Sequence, residues 1–406
     1  MEKISIAIIG GGAAGLFLAT ALRGADNIVI FERNDRVGRK LSATGNGQGN
    51  VTNLVATSAE YFSSEKEGRA IAEKIIRTHS DKELTKFFER LGVLLSADER
   101  GRVYPASRQA SALTDALRFT PEVSGKTLLS TRVLDLEKTD DGFILHAEMG
   151  EEKRAVRYFA ERVVLCTGGK AAKNFGTDGT AYALAEKFGH TVTNLYPSLV
   201  QLKTDTVHTK TLKGIRVSDG ILKARTGGKE RSLRGDIIFT DYGVSGDAVF
   251  RLSAFIADGI ADGKTELSID FLPDMDRERI LAALLQKRAA FSELPDNELL
   301  FGIVNNQVGR AIMKRAEGNP MRAAELVKAF PLKVTGSLGF DYAQVTKGGI
   351  PLSEMDENLQ SRFVKGLYFA GEILDVDGQC GGFNLQWAYA SARTVAEAIV
   401  CEKARR

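Results

Sequence analysis

The chain has 406 residues, 43% of them hydrophobic and 26% charged; this exceeds what one hydrophobic core serves, so two or three domains are expected. A formal net charge of +3 does not by itself indicate a nucleic-acid partner, and no apolar run reaches the length that spans a bilayer, so no membrane partner is expected. Cys166, Cys380 and Cys401 stand far apart with no CxxC, and His79, His146, His190 and His208 show no ligand spacing, which argues against a metal centre and suits a reducing, cytoplasmic compartment. In chain order, the apolar run 6–9 predicts a buried strand, Gly10, Gly12 and Gly15 form GxGxxG, residues 13–22 carry helical spacing, and 28–31 predict a second strand ending at Glu32. Gly10 serves a tight turn, Gly12 a close approach of backbone to phosphate, and Gly15 close helix-to-strand packing. The helix N-terminus then attracts anions, and a carboxylate 20 residues past Gly12 can accept ribose hydroxyls. Because the glycines lead straight into this motif with no cleavage site, the N-terminal stretch does not read as a signal peptide.

Residues 33–53 read as a loop rich in glycine and amide side chains. Helical patterns follow at 70–76 and 81–91, a turn at 98–102 and a helix at 111–118. The stretch 127–133 predicts a strand, 135–138 and 142–148 alternate like a small antiparallel sheet, and 162–165 predict another buried strand leading to Thr167, Gly168 and Gly169. A helix is expected at 179–188. From 194 to 271 the texture is that of short strands and Gly/Asp turns, 276–328 is mostly helical with patterns at 279–290, 297–315 and 322–329, and 331–345 reads as returning strands. A strand at 367–370 precedes Gly371 and Glu372, and a glycine-rich loop, 378–382, opens a long helix at 384–403. The basic clusters at 203–223 and 403–406 could touch a polyanion or simply be solvated.

The C-terminal arrangement of strand, acid, glycine loop and helix N-terminus resembles the two-dinucleotide-binding-domain flavoproteins, in which such a helix faces the flavin ring. The blocks RKL at 39–41, TGNGQGNVTN at 44–53, VVLCTGG at 163–169, FTDYGVSGDAV at 239–249, VTKGGI at 345–350 and GLYFAGEILDVDGQCGGFNLQWA at 366–388 are similar to the bacterial aminoacetone oxidase/YhiN-type FAD-binding family. That resemblance covers nearly the whole length. It implies an α/β fold with a discontinuous Rossmann-like FAD-binding domain (1–193 and 348–406), an inserted β-barrel-like substrate domain (194–274 and 330–347) and a small helical domain (275–329).

It also implies FAD, held without a covalent bond. Gly10, Gly12, Ala14 and Gly15 are expected at the pyrophosphate and Glu32 at the adenosine ribose, with Arg33 beside it. Arg39, Lys40 and Leu41 are expected to follow the phosphates and ribityl chain; a solvated Arg-Lys pair is the alternative. Val133 matches the position whose backbone meets adenine, and Thr167, Gly168 and Gly169 allow a close crossing. Gly371 and Glu372 are placed near the ribityl chain, and Gly382, Phe383, Asn384 and Leu385 near the flavin ring, with Asn46 and Asn50 adding amide contacts. Cys380 has no partner cysteine nearby, and Trp387 and Tyr389 are read as core.

Members of that family oxidise small amines or saturate carbon-carbon double bonds. Many have GGGRCN where this chain has Gly45-Asn46-Gly47-Gln48-Gly49-Asn50, so an arginine and a cysteine are missing. Asp241 and Asp247 also replace residues of the family pattern; they could attract a cationic amine or merely cap turns. These departures point to oxidation of a small, aminoacetone-like primary amine, with dioxygen as oxidant and hydrogen peroxide released. The alternative is an NAD(P)H-dependent reductase of a C=C bond, in a steroid-like enone or a uridine of ribosomal RNA, with any nicotinamide visiting transiently.

Overall fold

The computed structural model describes residues 3–404 apart from 23, 25–26, 56–59, 121–122, 124–126, 262 and 264; Arg405 and Arg406 of the basic tail therefore lie outside the described residues. By internal contacts the chain divides into two units, 1–196 with 345–406, and 197–344.

In the first unit, β1 (Lys3–Ile9), α1 (Ala13–Ala21) and β2 (Ile28–Phe31) form the opening strand-helix-strand. Next come α2 (Arg39–Ser42), β3 (Thr52–Asn53), β4 (Tyr61–Phe62), α3 (Lys66–Thr78), α4 (Asp81–Arg90), β5 (Leu95–Ala97), β6 (Arg102–Pro105) and α5 (Ala110–Arg118). They are followed by β7 (Thr127–Leu128), β8 (Thr131–Thr139), β9 (Gly142–Met149) and β10 (Arg154–Leu165). The main sheet has the order β7-β2-β1-β10-β9-β8. β1 runs parallel to β2 and β10, and the strand Leu367–Phe369 joins parallel to the last residues of β10. Parallel strands are covered on both faces, which is why residues 6–9 of β1 and all of β2 read as uninterrupted apolar runs and are buried. The closing helix Phe383–Ala404 packs its Ala388, Ala392, Val395 and Ile399 into the same core as Phe17 and Leu18 of α1.

β10 begins at Arg154 rather than near residue 162, because its first half pairs antiparallel with β9 from Arg154↔Met149 to Ala160↔Phe143. The β8-β9 hairpin is thus an extension of the main sheet and not a sheet of its own.

The second unit is a closed barrel of six antiparallel strands: Leu202–Thr204, Gly243–Ser245, Lys229–Phe239, Arg216–Thr226, Glu266–Asp270 and Phe330–Ser337, in that order around the ring. Residues 247–261, expected as strand and turn, form a 15-residue helix, Asp247–Ala261. Its Ala248, Val249, Leu252 and Ile256 are buried with Leu222 and Ile237 of the barrel, so the helix presents one apolar face to that core. The single helix expected at 297–315 starts at Asn306: Asn305 caps it, accepting the N–H groups of Gln307 and Val308. The helices Arg277–Ala290 and Pro320–Lys328 are capped by Asp276 and Asn319, and Ile280, Leu284, Ile312 and Val327 share one core with the barrel.

A buried His190 fastens residues 354–363 in the first unit. Phe363 and Phe369 hold its ring at centroid distances of 4.8 Å each, Nδ1 is 2.7 Å from Glu354 Oε2, and Nε2 is 2.8 Å from the Ser361 hydroxyl. Ser361 Oγ already accepts the N–H groups of Phe363 and Val364, so its proton is directed to Nε2 and the ring proton to Glu354. Burial pushes His190 below its ordinary pKa, against the pull of Glu354. A histidine so depressed leaves the unfolded chain the stronger proton binder: the stabilisation is complete above about pH 6.5 and is lost as pH falls through the folded value. The thermal midpoint is therefore expected to decline on mild acidification, and to decline less in His190→Gln; parallel pH curves for the two proteins would refute this.

Candidate functional site

The glycine motif is built at close quarters. Gly10, with φ +106°, would drive a Cβ to 2.5 Å from the Cys166 carbonyl oxygen, and a Cβ on Gly15 would collide with the Gly10 carbonyl. Around a Cβ on Gly12 there is nothing within 4 Å. Gly12 is the N-cap of α1 and supplies no side-chain cap, and α1 has no acidic residue in its first turn. Leu16 N–H is the donor to Gly12 O, so the N–H groups of Ala13, Ala14 and Gly15 have no carbonyl of their own helix to meet. Open space in front of an uncapped helix start suits a phosphate.

Glu32 is buried at the end of β2. One carboxylate oxygen accepts Gly11 N–H at 2.8 Å, and the other accepts Asn34 N–H at 2.8 Å and Asn34 Nδ2 at 2.6 Å. It thus ties the glycine turn to the following loop, and of its roughly four acceptor positions about one is left for a ribose. Arg33 forms a two-pronged ion pair with Asp178, at 3.1 and 3.0 Å, which holds the Asp178 carboxyl well below its usual range. Arg39 Nη1 donates to Asn34 Oδ1 at 3.0 Å and Nη2 to Asn174 O at 3.1 Å, so the pair 39–40 is not simply solvated. Val133 lies where the β8-β9 register shifts between 133 and 135; such a bulge takes backbone groups out of the ladder.

The two ends of the chain meet here. A Cβ on Gly371 would lie 2.7 Å from the Ala14 Cβ. Lys40 Nζ is 2.6 Å from Glu372 Oε2, and Glu372 Oε1 accepts Thr346 N–H at 3.0 Å. Thr346 Oγ1 in turn accepts the N–H groups of Lys170 and Ala171, just past Gly168 and Gly169. Leu41 is buried, Gly168 has φ +70°, and Asn46, with φ +55°, is exposed in a loop where Gly45, Gly47 and Gly49 also have positive φ.

At the closing helix, a Cβ on Gly382 would meet the Thr52 backbone at 2.5 Å. The buried Asn50 amide bridges the two segments, accepting Gly382 N–H at 3.2 Å and donating to the carbonyls of Val103 and Thr52. Asn384 accepts Gly378 N–H and donates to Gly378 O, both at 2.9 Å. Asn50, Gly382 and Asn384 thus spend polar groups on holding the loop itself. Gln386 N–H donates to Gly382 O, which leaves the N–H groups of Phe383, Asn384 and Leu385 as the free helix start.

Buried polar atoms of the first unit with no hydrogen-bond partner within the protein include Arg39 Nε, Thr167 Oγ1 and the Tyr182 hydroxyl. Burial and the neighbouring Glu372 and Asp375 push Tyr182 above the ordinary phenol range. Buried polar groups ordinarily find partners, so a polar group that fills this space satisfies them, and a dinucleotide with its phosphates and hydroxyls fits the donor set. Sequence reasoning missed several supports. Asp375 is raised by burial while it accepts from Ser63 and Ser64. Gln386 accepts from Thr52 Oγ1 and donates to His79 O. Gln379 is buried with neither amide atom partnered.

Asp241 and Asp247 belong to the second unit, and each has a cationic partner there. Asp241 is exposed and 2.9 Å from Lys213 Nζ, which holds its carboxyl below the usual range. Asp247 begins its helix and pairs with Arg251 at 3.0 Å.

A family model described as the HI0933-like protein Rossmann domain matches residues 4–398. The chain is 34% identical, over 95% of its length and 96% of the relative's, to the 3-dehydro-bile acid delta(4,6)-reductase of Clostridium scindens. It is 27% identical, over 99% and 100%, to the ribosomal RNA dihydrouridine synthase of Escherichia coli. Among solved structures, the 3-ketosteroid delta1-dehydrogenase of Sterolibacterium denitrificans superposes with a TM-score of 0.53 at 14% identity, covering 99% of this chain and 100% of that one. At that identity the likeness is one of fold.

Proposed function

Because the chain belongs to the HI0933-like Rossmann family and is an FAD-dependent oxidoreductase, we propose that it saturates a ring carbon-carbon double bond conjugated to a carbonyl, in a small steroid-like enone. The observation that carries this reading is similarity along the full length to two enzymes whose names denote saturation of such bonds. The bile-acid reductase is the more similar of the two, and a net charge of +3 offers little to an RNA polyanion. Oxidation of a small primary amine drew on the missing arginine and cysteine of the amide loop and, in part, on Asp241 and Asp247; the pairing of these two with Lys213 and Arg251 weakens the second support.

The residues that would hold FAD are the N-terminal turn of α1 for the pyrophosphate, Glu32 for a ribose hydroxyl, Arg39, Thr167 and Tyr182 for polar atoms along the cofactor, and the start of the closing helix for the ring. Bound there, FAD supplies hydride chemistry at its ring, with NAD(P)H as transient donor and dioxygen as a competing oxidant. The chain's own part is orientation: the Lys40-Glu372 pair joins the two halves of the cradle, and the free N–H groups of the closing helix favour negative charge at its start. Among the described residues no helix is long and apolar enough to cross a membrane. We place the protein in the cytoplasm, where Cys166, Cys380 and Cys401, which form no disulfide with one another, stay reduced.

The test is anaerobic incubation of purified holoenzyme with NAD(P)H and a conjugated steroid enone, followed by mass spectrometry. The expected product carries two more hydrogens. Consumption of aminoacetone with peroxide release, and of no enone, would instead establish amine oxidation.

A further inference from the structure

Saturating a conjugated double bond takes a proton as well as a hydride, and a positioned acid is the means of supplying it. Three loops of the first unit converge where such an acid could stand. The amide loop 44–50 lies against the start of α5: Ala110 N–H donates to Gly47 O at 2.7 Å, and a Cβ on Gly49 would reach 2.8 Å from Ala110 Cα. The glycine loop that opens the closing helix lies along β3 and β6. There a Cβ on Gly382 would meet the backbone of Thr52, the partner of Val103, and one on Gly381 would sit 3.8 Å from the Arg102 side chain.

Alternate residues of a strand share a face, so Tyr104 projects from β6 on the side of Arg102, while Val103 between them enters the hydrophobic core. Tyr104 is 5% exposed, yet it is not part of that core. The third loop supplies Arg108, with φ +54°, whose guanidinium lies 4.2 Å from the centre of the Tyr104 ring.

The other buried tyrosines nearby are less suited. The Tyr61 hydroxyl donates to Phe383 O, and Tyr182 has Glu372 and Asp375 as electrostatic neighbours, which tighten its hold on its proton. At Tyr104, burial raises the phenol above its ordinary range and Asp98 adds to this, while Arg102 and Arg108 pull against them and so favour the phenolate that proton donation leaves behind. Cys380, in the glycine loop, is also within electrostatic range of Tyr104 and is the competing acid.

The geometry points to Tyr104 as the proton donor of the reduction, with Arg108 stacked on its ring to stabilise the phenolate. This rests on the enone reading above. The Tyr104 O–H bond breaks as a C–H bond forms at the carbon next to the substrate carbonyl; the hydride reaches the other carbon from the reduced cofactor, and water returns a proton to the phenolate. Gln48 and Gly49 carry neither cation nor acid in the amide loop; the neighbouring loop and β6 supply both.

The experiment compares wild type, Tyr104→Phe, Arg108→Met and Cys380→Ser holoenzymes, reduced anaerobically and mixed with enone or with dioxygen. Tyr104→Phe keeps the ring and its stacking, so it should retain flavin, perturb the visible spectrum on binding enone as wild type does, and react with dioxygen at the same rate. Its reoxidation by enone should slow about 100-fold or more, and the alkaline limb of the pH profile should vanish. Arg108→Met should slow the same step about 10-fold and shift that limb upward; Cys380→Ser should stay near wild type. Full enone reactivity in Tyr104→Phe, or loss of it in Cys380→Ser alone, overturns the assignment while leaving the enone reading intact. Wild-type enzyme that reduces no enone removes that reading, and this one with it.

Discussion

Gly12→Ala is expected to leave the stability of the cofactor-free protein within about 0.5 kcal/mol of wild type while costing it most of its flavin. At Gly12 the backbone has φ −80°, which alanine adopts freely, and a Cβ meets nothing within 4 Å. Any penalty must therefore come from what occupies the space in front of α1. Gly15→Ala is the contrasting case: its Cβ is driven into the Gly10 carbonyl inside the strand-helix contact, and overpacking there should cost about 3 kcal/mol or more of stability with or without cofactor. Chemical denaturation of the two apoproteins, alongside flavin titration, separates the effects. Equal destabilisation by both substitutions would mean that the open space at Gly12 is not a ligand site.

The second large effect is expected at the Lys40-Glu372 pair, which joins α2 to the loop after the strand Leu367–Phe369 across 332 residues of sequence. Both side chains are mostly shielded, at 26% and 20% exposure. Glu372→Leu strands the Lys40 ammonium and leaves the Thr346 N–H without its acceptor. Unmade bonds of this kind should cost about 2–3 kcal/mol in all. Removing both charges, in Lys40→Met with Glu372→Leu, should recover part of that loss, because a half-buried charge without its partner is worse than no charge. A double-mutant cycle read by thermal unfolding checks this; a loss in the double variant equal to the sum of the losses in Lys40→Met and Glu372→Leu would show that the pair is not coupled.

These expectations separate what the sequence carried from what it could not. Residues 6–9 of β1, all of β2 and residues 163–165 of β10 were legible because parallel strands covered on both faces form unbroken apolar runs. The first half of β10 was not, since residues 154–160 pair with β9 while partly exposed and show no clean alternation. The helix Asp247–Ala261 lies within a texture of short strands and Gly/Asp turns, and its apolar face shows only against the barrel. Within the candidate site, glycines with a steric reason to be glycine could be named from spacing alone. Long-range partnerships could not: Arg33 is engaged by Asp178, Glu32 by Gly11 and Asn34, Gln386 by Thr52. Asp241 and Asp247 read equally as acids for a cationic amine or as turn caps, because Lys213 is 28 residues away and Arg251 meets Asp247 only once residues 247–261 are helical.

The most direct measurement is a single turnover under anaerobic conditions: photoreduced, bleached holoenzyme is mixed with a conjugated steroid enone and its visible absorbance followed. The account predicts that the yellow colour returns as the double bond is saturated. It would be contradicted by protein that stays colourless with every enone offered, while oxidised protein is bleached by aminoacetone.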